Sequence, residues 1–186
     1  MGLTLANKIT VGRIVIVPLF IATLLNYSQD REYLRTVATV LFIIAVLSDV
    51  IDGYIARRYY QKTRAGAILD PLADKLLLMS AFVCLCIIGS QLPVFDFPVW
   101  LVVSLISRDI ILLIGALIIQ TVTGKLAIEA NKWGKLTAFF QVLAVLGMLF
   151  QIESSQLLWP VAVVITGISG IVYIKEGIKI LNESAA

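Results

Sequence analysis

The sequence contains no histidine, and only 15% of its 186 residues are charged. Without imidazole there is no His general base and no His-ligated zinc or haem. Any catalysis must therefore run on carboxylates, Lys, Arg, hydroxyls or a metal held by oxygen. Soluble domains carry about 25% charged residues. That scarcity, beside 60% hydrophobic residues, excludes an ordinary soluble domain and points to a membrane protein. Cysteine is scarce too: Cys84 and Cys86 share one apolar run. Two residues apart on a helix, they point to different sides, so neither a disulfide nor a thiolate metal site is expected. The opening MGLTLANKIT lacks the charged, apolar, small-residue layout of a cleaved signal peptide, so the first apolar run is expected to be mature structure. With no transit peptide ahead of it, a bacterial cytoplasmic (inner) membrane is the expected location. No internal repeat or low-complexity tract stands out.

What the chain does have is long apolar runs. Six of them, roughly 11–26, 35–57, 68–90, 97–120, 135–151 and 157–176, approach the ~20 residues a helix needs to cross a bilayer. The expected fold is all-α: a single polytopic membrane domain over 1–186, with six transmembrane helices and a short N-terminal interfacial helix. That last element is LTLANKITVGRI, where apolar residues interleave with Asn7, Lys8 and Arg13. The connectors NYSQDREY, RRYYQKTRAG, SQLPVFD, TVTGKLAIEANKWG and QIESSQ are short enough to keep successive helices antiparallel. Leu113-Ile114-Gly115-Ala116 and Gly147 supply small residues for close helix contact, within or between chains.

Orientation follows from Lys and Arg. Lys8, Arg13, Arg57, Arg58, Lys62, Arg64, Lys75, Lys125, Lys132, Lys135, Lys175 and Lys179 make twelve on one side, against Arg31 and Arg35 on the other, with Arg108 inside the fourth span. Both termini and the second and fourth connectors are expected in the cytoplasm. Most of the net charge of +3 is this asymmetry, so it argues for topology and not for a nucleic-acid partner.

Against that background, SDVIDGYIARRYYQKTRAGAILDPLADKLL, residues 48 to 77, is anomalous. Asp49 and Asp52 are i,i+3 near the cytoplasmic end of the second span. Asp70 and Asp74 are i,i+4 at the start of the third, so each pair projects from one helix face. The ten-residue connector RRYYQKTRAG returns the chain, so the two faces can meet just inside the membrane. A carboxylate at mid-bilayer costs about 2.5–3.5 kcal/mol even on the lenient scale, and neighbouring carboxylates repel. A cation must compensate them. Either Arg57, Arg58 and Arg64 form a salt-bridge network with the acids, or a divalent metal with oxygen ligands fills the cluster. A cation transporter is a remote alternative, because the acids stop near one side and do not continue across the bilayer.

The spacing D-x2-D-G-x2-A-R-x8-G-x3-D-x3-D, through Asp49, Asp52, Gly53, Ala56, Arg57, Gly66, Asp70 and Asp74, matches the signature of the CDP-alcohol phosphatidyltransferases at all eight fixed positions. The chain resembles that family over essentially its whole length. The resemblance implies Mg²⁺ or Mn²⁺, two ions, held by Asp49, Asp52 and Asp70. Asp74 would act both as ligand and as general base on an acceptor hydroxyl. Such chemistry suits a nucleotide diphosphate ester, whose charge must be neutralised while attacking and leaving oxygens are both stabilised. The resemblance also places CDP-diacylglycerol against Gly53, Ala56, Arg57, Thr63 and Gly66, and implies a homodimer. Helix packing at Gly53, simple room at Ala56 and a membrane-surface anchor at Arg57 are the structural alternatives.

Within the family, TRAGAILDPLADKLL and ANKITVGRIVIVP are similar to phosphatidylglycerophosphate synthases and to the cardiolipin synthases that use CDP-diacylglycerol. Asn7, Thr10 and Arg13 fall at the usual polar positions of the second segment, where they could reach substrate or anchor to lipid headgroups. The expected reaction is phosphatidyl transfer from CDP-diacylglycerol to glycerol 3-phosphate with release of CMP. The alternative acceptor is phosphatidylglycerol, giving cardiolipin. For the glycerol 3-phosphate dianion the candidate cations are Arg64, Arg108, Lys132 and Lys135, with a structural ion pair as the other reading of Arg108. Where such synthases often show Gly-Lys-x-Lys-Thr, this chain has Gly134-Lys135-Leu136-Thr137, one residue shorter and without the second Lys.

Overall fold

The structure, a computed structural model, describes residues 5–58, 64–92, 98–123 and 132–185. Every regular element in it is helical: α1 Leu5–Leu25, α2 Glu32–Arg58, α3 Arg64–Ile88, α4 Val99–Thr123, α5 Lys132–Leu149 and α6 Leu158–Ala185, with 3-10 turns at Gln29–Arg31, Gly89–Gln91 and Glu153–Leu157. Each of the six apolar runs has its helix. Several helices run past the apolar run into polar flanks, because a helix satisfies its own backbone groups on either side of a membrane boundary.

One expectation changes. The interfacial helix is not separate: α1 continues unbroken from Leu5 through the first apolar run to Leu25. Gly12 weakens a helix by only about 1 kcal/mol. Pro18, in the interior, removes one backbone donor, a defect that apolar membrane helices tolerate. The expected spans are met in part. Among the described residues three segments are long and apolar enough to cross a membrane, Gln29–Ile51, Ala73–Gln91 and Glu153–Lys179; Val11–Leu25 and Gly134–Leu149 are apolar but shorter. The outward faces are apolar as well. Val37, Val40, Ile44, Leu47 and Ile51 form an exposed stripe along α2, and Val161, Val164, Ile168 and Ile171 form one along α6. Contiguous apolar stripes of this kind belong against lipid, not water.

The chain divides into two compact units. In the first, Met1–Phe97 with Met148–Gln151, α1 packs against both α2 and α3, which touch each other far less. Arg13, Val17, Phe20 and Leu24 are the buried face of α1, at alternating spacings of four and three that keep one side of a helix facing its neighbours; Tyr27, just past its end, is buried as well. Small and large residues interleave opposite it: Ala38, Phe42 and Ala45 on α2, and Ala73, Leu77, Ala81 and Leu85 on α3, all buried. The Phe20 and Phe42 rings meet at 5.7 Å between centroids. At the far end, Arg35 Nη1 donates to the Leu149 carbonyl at 2.8 Å, occupying a helix-terminal acceptor that has no partner within its own helix.

The second unit, Pro98–Gly147 with Ile152–Ala186, is built on the packing of α4 against α6. The small residues find their contacts inside the chain. A Cβ on Gly115 would lie 3.7 Å from the Tyr173 ring, and one on Gly147 would collide with Ser155 Cβ. Helix α5 ends in a left-handed residue, Gln151 with φ 55°. Its N–H donates to the Met148 carbonyl at 3.0 Å, and that of Ile152 to Gly147 at 2.9 Å; this is the two-bond C-terminal motif that glycine usually closes. Gln151→Gly is expected to raise stability by about 0.5–1 kcal/mol, read as a higher unfolding temperature in detergent.

Candidate active site

The α1 stripe ends in a cation. Arg13 is 0% exposed, and its Nη1 lies 2.8 Å from Asp49 Oδ1 on α2 and 3.6 Å from Asp74 Oδ1 on α3. Both are ion pairs, the first close and the second looser. A fully buried guanidinium needs such partners, since an isolated buried charge is strongly unfavourable. The carboxylates themselves are 36% and 40% exposed. Arg13 therefore forms a floor beneath two acids that remain open on their other sides.

The structure thus brings together Asp49, Asp74 and Arg13. The two acids whose side chains are described, Asp49 of α2 and Asp74 of α3, share a cation that α1 supplies. Arg13 neither anchors to headgroups nor lies at a surface, because its side chain has no exposure. Among the described residues the cation that pairs with these acids is Arg13 of α1; the side chains of Arg57, Arg58 and Arg64, anticipated as partners, lie outside them. Asp52, Gly53, Ala56 and Arg57 continue α2 beyond Asp49; Arg64, Gly66 and Asp70 precede Asp74 on α3; Asn7 and Thr10 precede Arg13 on α1; Lys132 opens α5. Their side chains, like that of Arg58, lie outside the described residues, as does Thr63 altogether.

The second unit holds the remaining candidates. Arg108 Nη1 donates to Asp109 Oδ1 at 2.7 Å, and Nη2 donates to Ser169 Oγ of α6 at 2.6 Å. Both acceptors are buried. This is the structural pair that was the alternative reading of Arg108, extended by a hydroxyl. Lys135 is exposed on α5. The partnership of Arg13 with the signature acids was missed from sequence, although the spacing of Arg13, Val17, Phe20 and Leu24 signals a shared buried face. Ser169 had no such signal.

Among the described residues no group of three or more acidic, histidine or cysteine side chains forms a metal cluster. Asp49 and Asp74 are two of the four acids expected in one. Their chemistry fits a hard divalent cation: both are oxygen donors, both are open on one side, and a chain without histidine offers no softer nitrogen ligand.

Comparison with known proteins adds an independent line. The chain matches the CDP-alcohol phosphatidyltransferase family over residues 3–170. It is 33% identical over 199 aligned positions to the CDP-diacylglycerol–glycerol-3-phosphate 3-phosphatidyltransferase of Bacillus subtilis, covering 97% of this chain and 98% of that one. A probable phosphatidylglycerophosphate synthase of Mycobacterium tuberculosis is 32% identical over 183 positions, 94% of this chain and 82% of its own. A CMP-forming cardiolipin synthase of Oryza sativa is 36% identical over 112 positions, 58% of this chain and 33% of its own.

Proposed function

We propose, from the premise that the chain belongs to the CDP-alcohol phosphatidyltransferase family, that it transfers a phosphatidyl group from CDP-diacylglycerol to glycerol 3-phosphate and releases CMP. The observation that carries the reading is the convergence of Asp49 and Asp74, signature acids on two different helices, on one buried guanidinium. Near end-to-end similarity to a bacterial protein named for this reaction supports the choice of acceptor.

Asp49, Asp52, Asp70 and Asp74 would hold one or two Mg²⁺ or Mn²⁺ ions. Bound there, the metal supplies neutralisation of the diphosphate and polarisation of the attacked phosphorus. Asp74 takes the proton from the acceptor hydroxyl. The acceptor oxygen then bonds to the lipid-side phosphorus, the bond from that phosphorus to the CMP oxygen breaks, and CMP leaves with the electron pair. Gly53, Ala56, Arg57, Thr63 and Gly66 receive the nucleotide end of CDP-diacylglycerol, with Asn7 and Thr10 beside them. Arg64, Lys132 and Lys135 supply cations for glycerol 3-phosphate, while Arg108, engaged with Asp109 and Ser169, serves the fold.

The protein crosses the membrane six times, with both termini and the active site on the cytoplasmic side; the Lys and Arg asymmetry supports this. It works as a homodimer, an inference resting on the family resemblance alone. Cardiolipin synthesis is the second reading, favoured by the missing second Lys in Gly134-Lys135-Leu136-Thr137. The two are separated by offering purified protein CDP-diacylglycerol, Mg²⁺ or Mn²⁺, and one acceptor at a time. CMP release with glycerol 3-phosphate and not with phosphatidylglycerol is expected. The converse pattern makes the protein a cardiolipin synthase.

A further inference from the structure

Arg13 and its two carboxylates are mutually dependent. The guanidinium, without solvent exposure, lies against Asp49 of α2 and Asp74 of α3. The acids, drawn together inside apolar helices, would repel without a cation between them. Both acids keep exposure beside that buried cation, at 36% and 40%.

We propose that Arg13 and a divalent cation are alternative counter-charges for the Asp49–Asp74 pair. The guanidinium holds α1, α2 and α3 together when metal is absent and weakens metal binding when metal is present. This rests on the metal-dependent reading above. It makes Arg13 a positioning residue that acts on the reaction through the two carboxylates and not by touching substrate.

The sign of the effect follows from electrostatics. A guanidinium at 2.8 Å engages one carboxylate oxygen and repels a second cation brought to the other. Removing its charge frees that oxygen and ends the repulsion, so the acids take a divalent ion more tightly. The same removal takes this shared counter-charge from both acids when no metal is present. An outer partner that merely oriented the ligands would behave oppositely, since its loss weakens metal binding about 10–100-fold.

The test measures Mn²⁺ binding to the full chain in detergent by paramagnetic resonance, together with thermal unfolding in Mn²⁺ and in chelator. Arg13→Met, which keeps the length without the charge, is expected to bind Mn²⁺ about tenfold or more tightly than wild type. It should unfold at a lower temperature than wild type in chelator and recover most of that difference at saturating Mn²⁺. Arg13→Lys retains the charge and should stay within about threefold of the wild-type affinity. Where wild type binds Mn²⁺, equal or weaker binding by Arg13→Met overturns the exchange and leaves metal dependence standing. So does failure of Arg13→Met to fold even when prepared in Mn²⁺. Wild-type protein that binds no Mn²⁺ removes the metal reading itself, and the exchange with it.

Discussion

Asp74→Asn is expected to lower CMP release by about 10²–10⁴-fold, the usual worth of a positioned general base, with little loss of stability. Asparagine has the shape of aspartate but does not accept a proton from a hydroxyl at neutral pH. The fold should survive for reasons visible around Arg13. The tighter partner of the guanidinium is Asp49 at 2.8 Å, whereas Asp74 stands at 3.6 Å and is 40% exposed. The buried cation thus keeps a carboxylate. Initial rates at saturating CDP-diacylglycerol, paired with unfolding temperatures, check both halves. A wild-type rate from a well-folded Asp74→Asn protein would remove Asp74 from the role of base.

The second large effect concerns stability. Arg108→Leu should destabilise the protein by about 3–5 kcal/mol, the cost of breaking a buried pair from one side. The variant deprives buried Asp109 of its guanidinium and Ser169 of its donor, in a stretch of α4 that is apolar apart from Ser104 and Ser107. Removing both charges together, Arg108→Leu with Asp109→Leu, should restore most of the loss, because an apolar pair of similar size often matches a buried ion pair. An acceptor-binding Arg108 would behave otherwise. Its loss would leave the unfolding temperature unchanged and raise KM for glycerol 3-phosphate. Unfolding curves of the single and double variants, with KM for the single one, distinguish the two roles.

The positions of the helices were legible because apolar runs of bilayer length admit little else; even the polar ends of α2 and α3 fell within a few residues of the expected boundaries. The identity of the signature acids was legible from spacing alone. The arrangement of α1 was not. Connector lengths constrain which helices follow one another antiparallel, yet they leave open whether α1 lies beside α2 or between α2 and α3. Asn7, Thr10 and Arg13 read as an interfacial segment by composition. The four-three spacing that places Arg13 with Phe20 and Leu24 competes with that reading, and burial decided it. Arg108 was harder still: its neighbour Asp109 is adjacent in sequence, but Ser169 lies 61 residues away and has no periodic relation to it.

The most direct measurement is the product balance of a single incubation. Purified protein, CDP-diacylglycerol, glycerol 3-phosphate and Mg²⁺ or Mn²⁺ are combined, CMP is quantified, and the lipid product is identified by mass spectrometry. The account predicts phosphatidylglycerophosphate in equal amount to CMP, with both abolished by Asp74→Asn. CMP accompanied by phosphatidic acid, which marks hydrolysis without transfer, or no CMP from glycerol 3-phosphate, would contradict it.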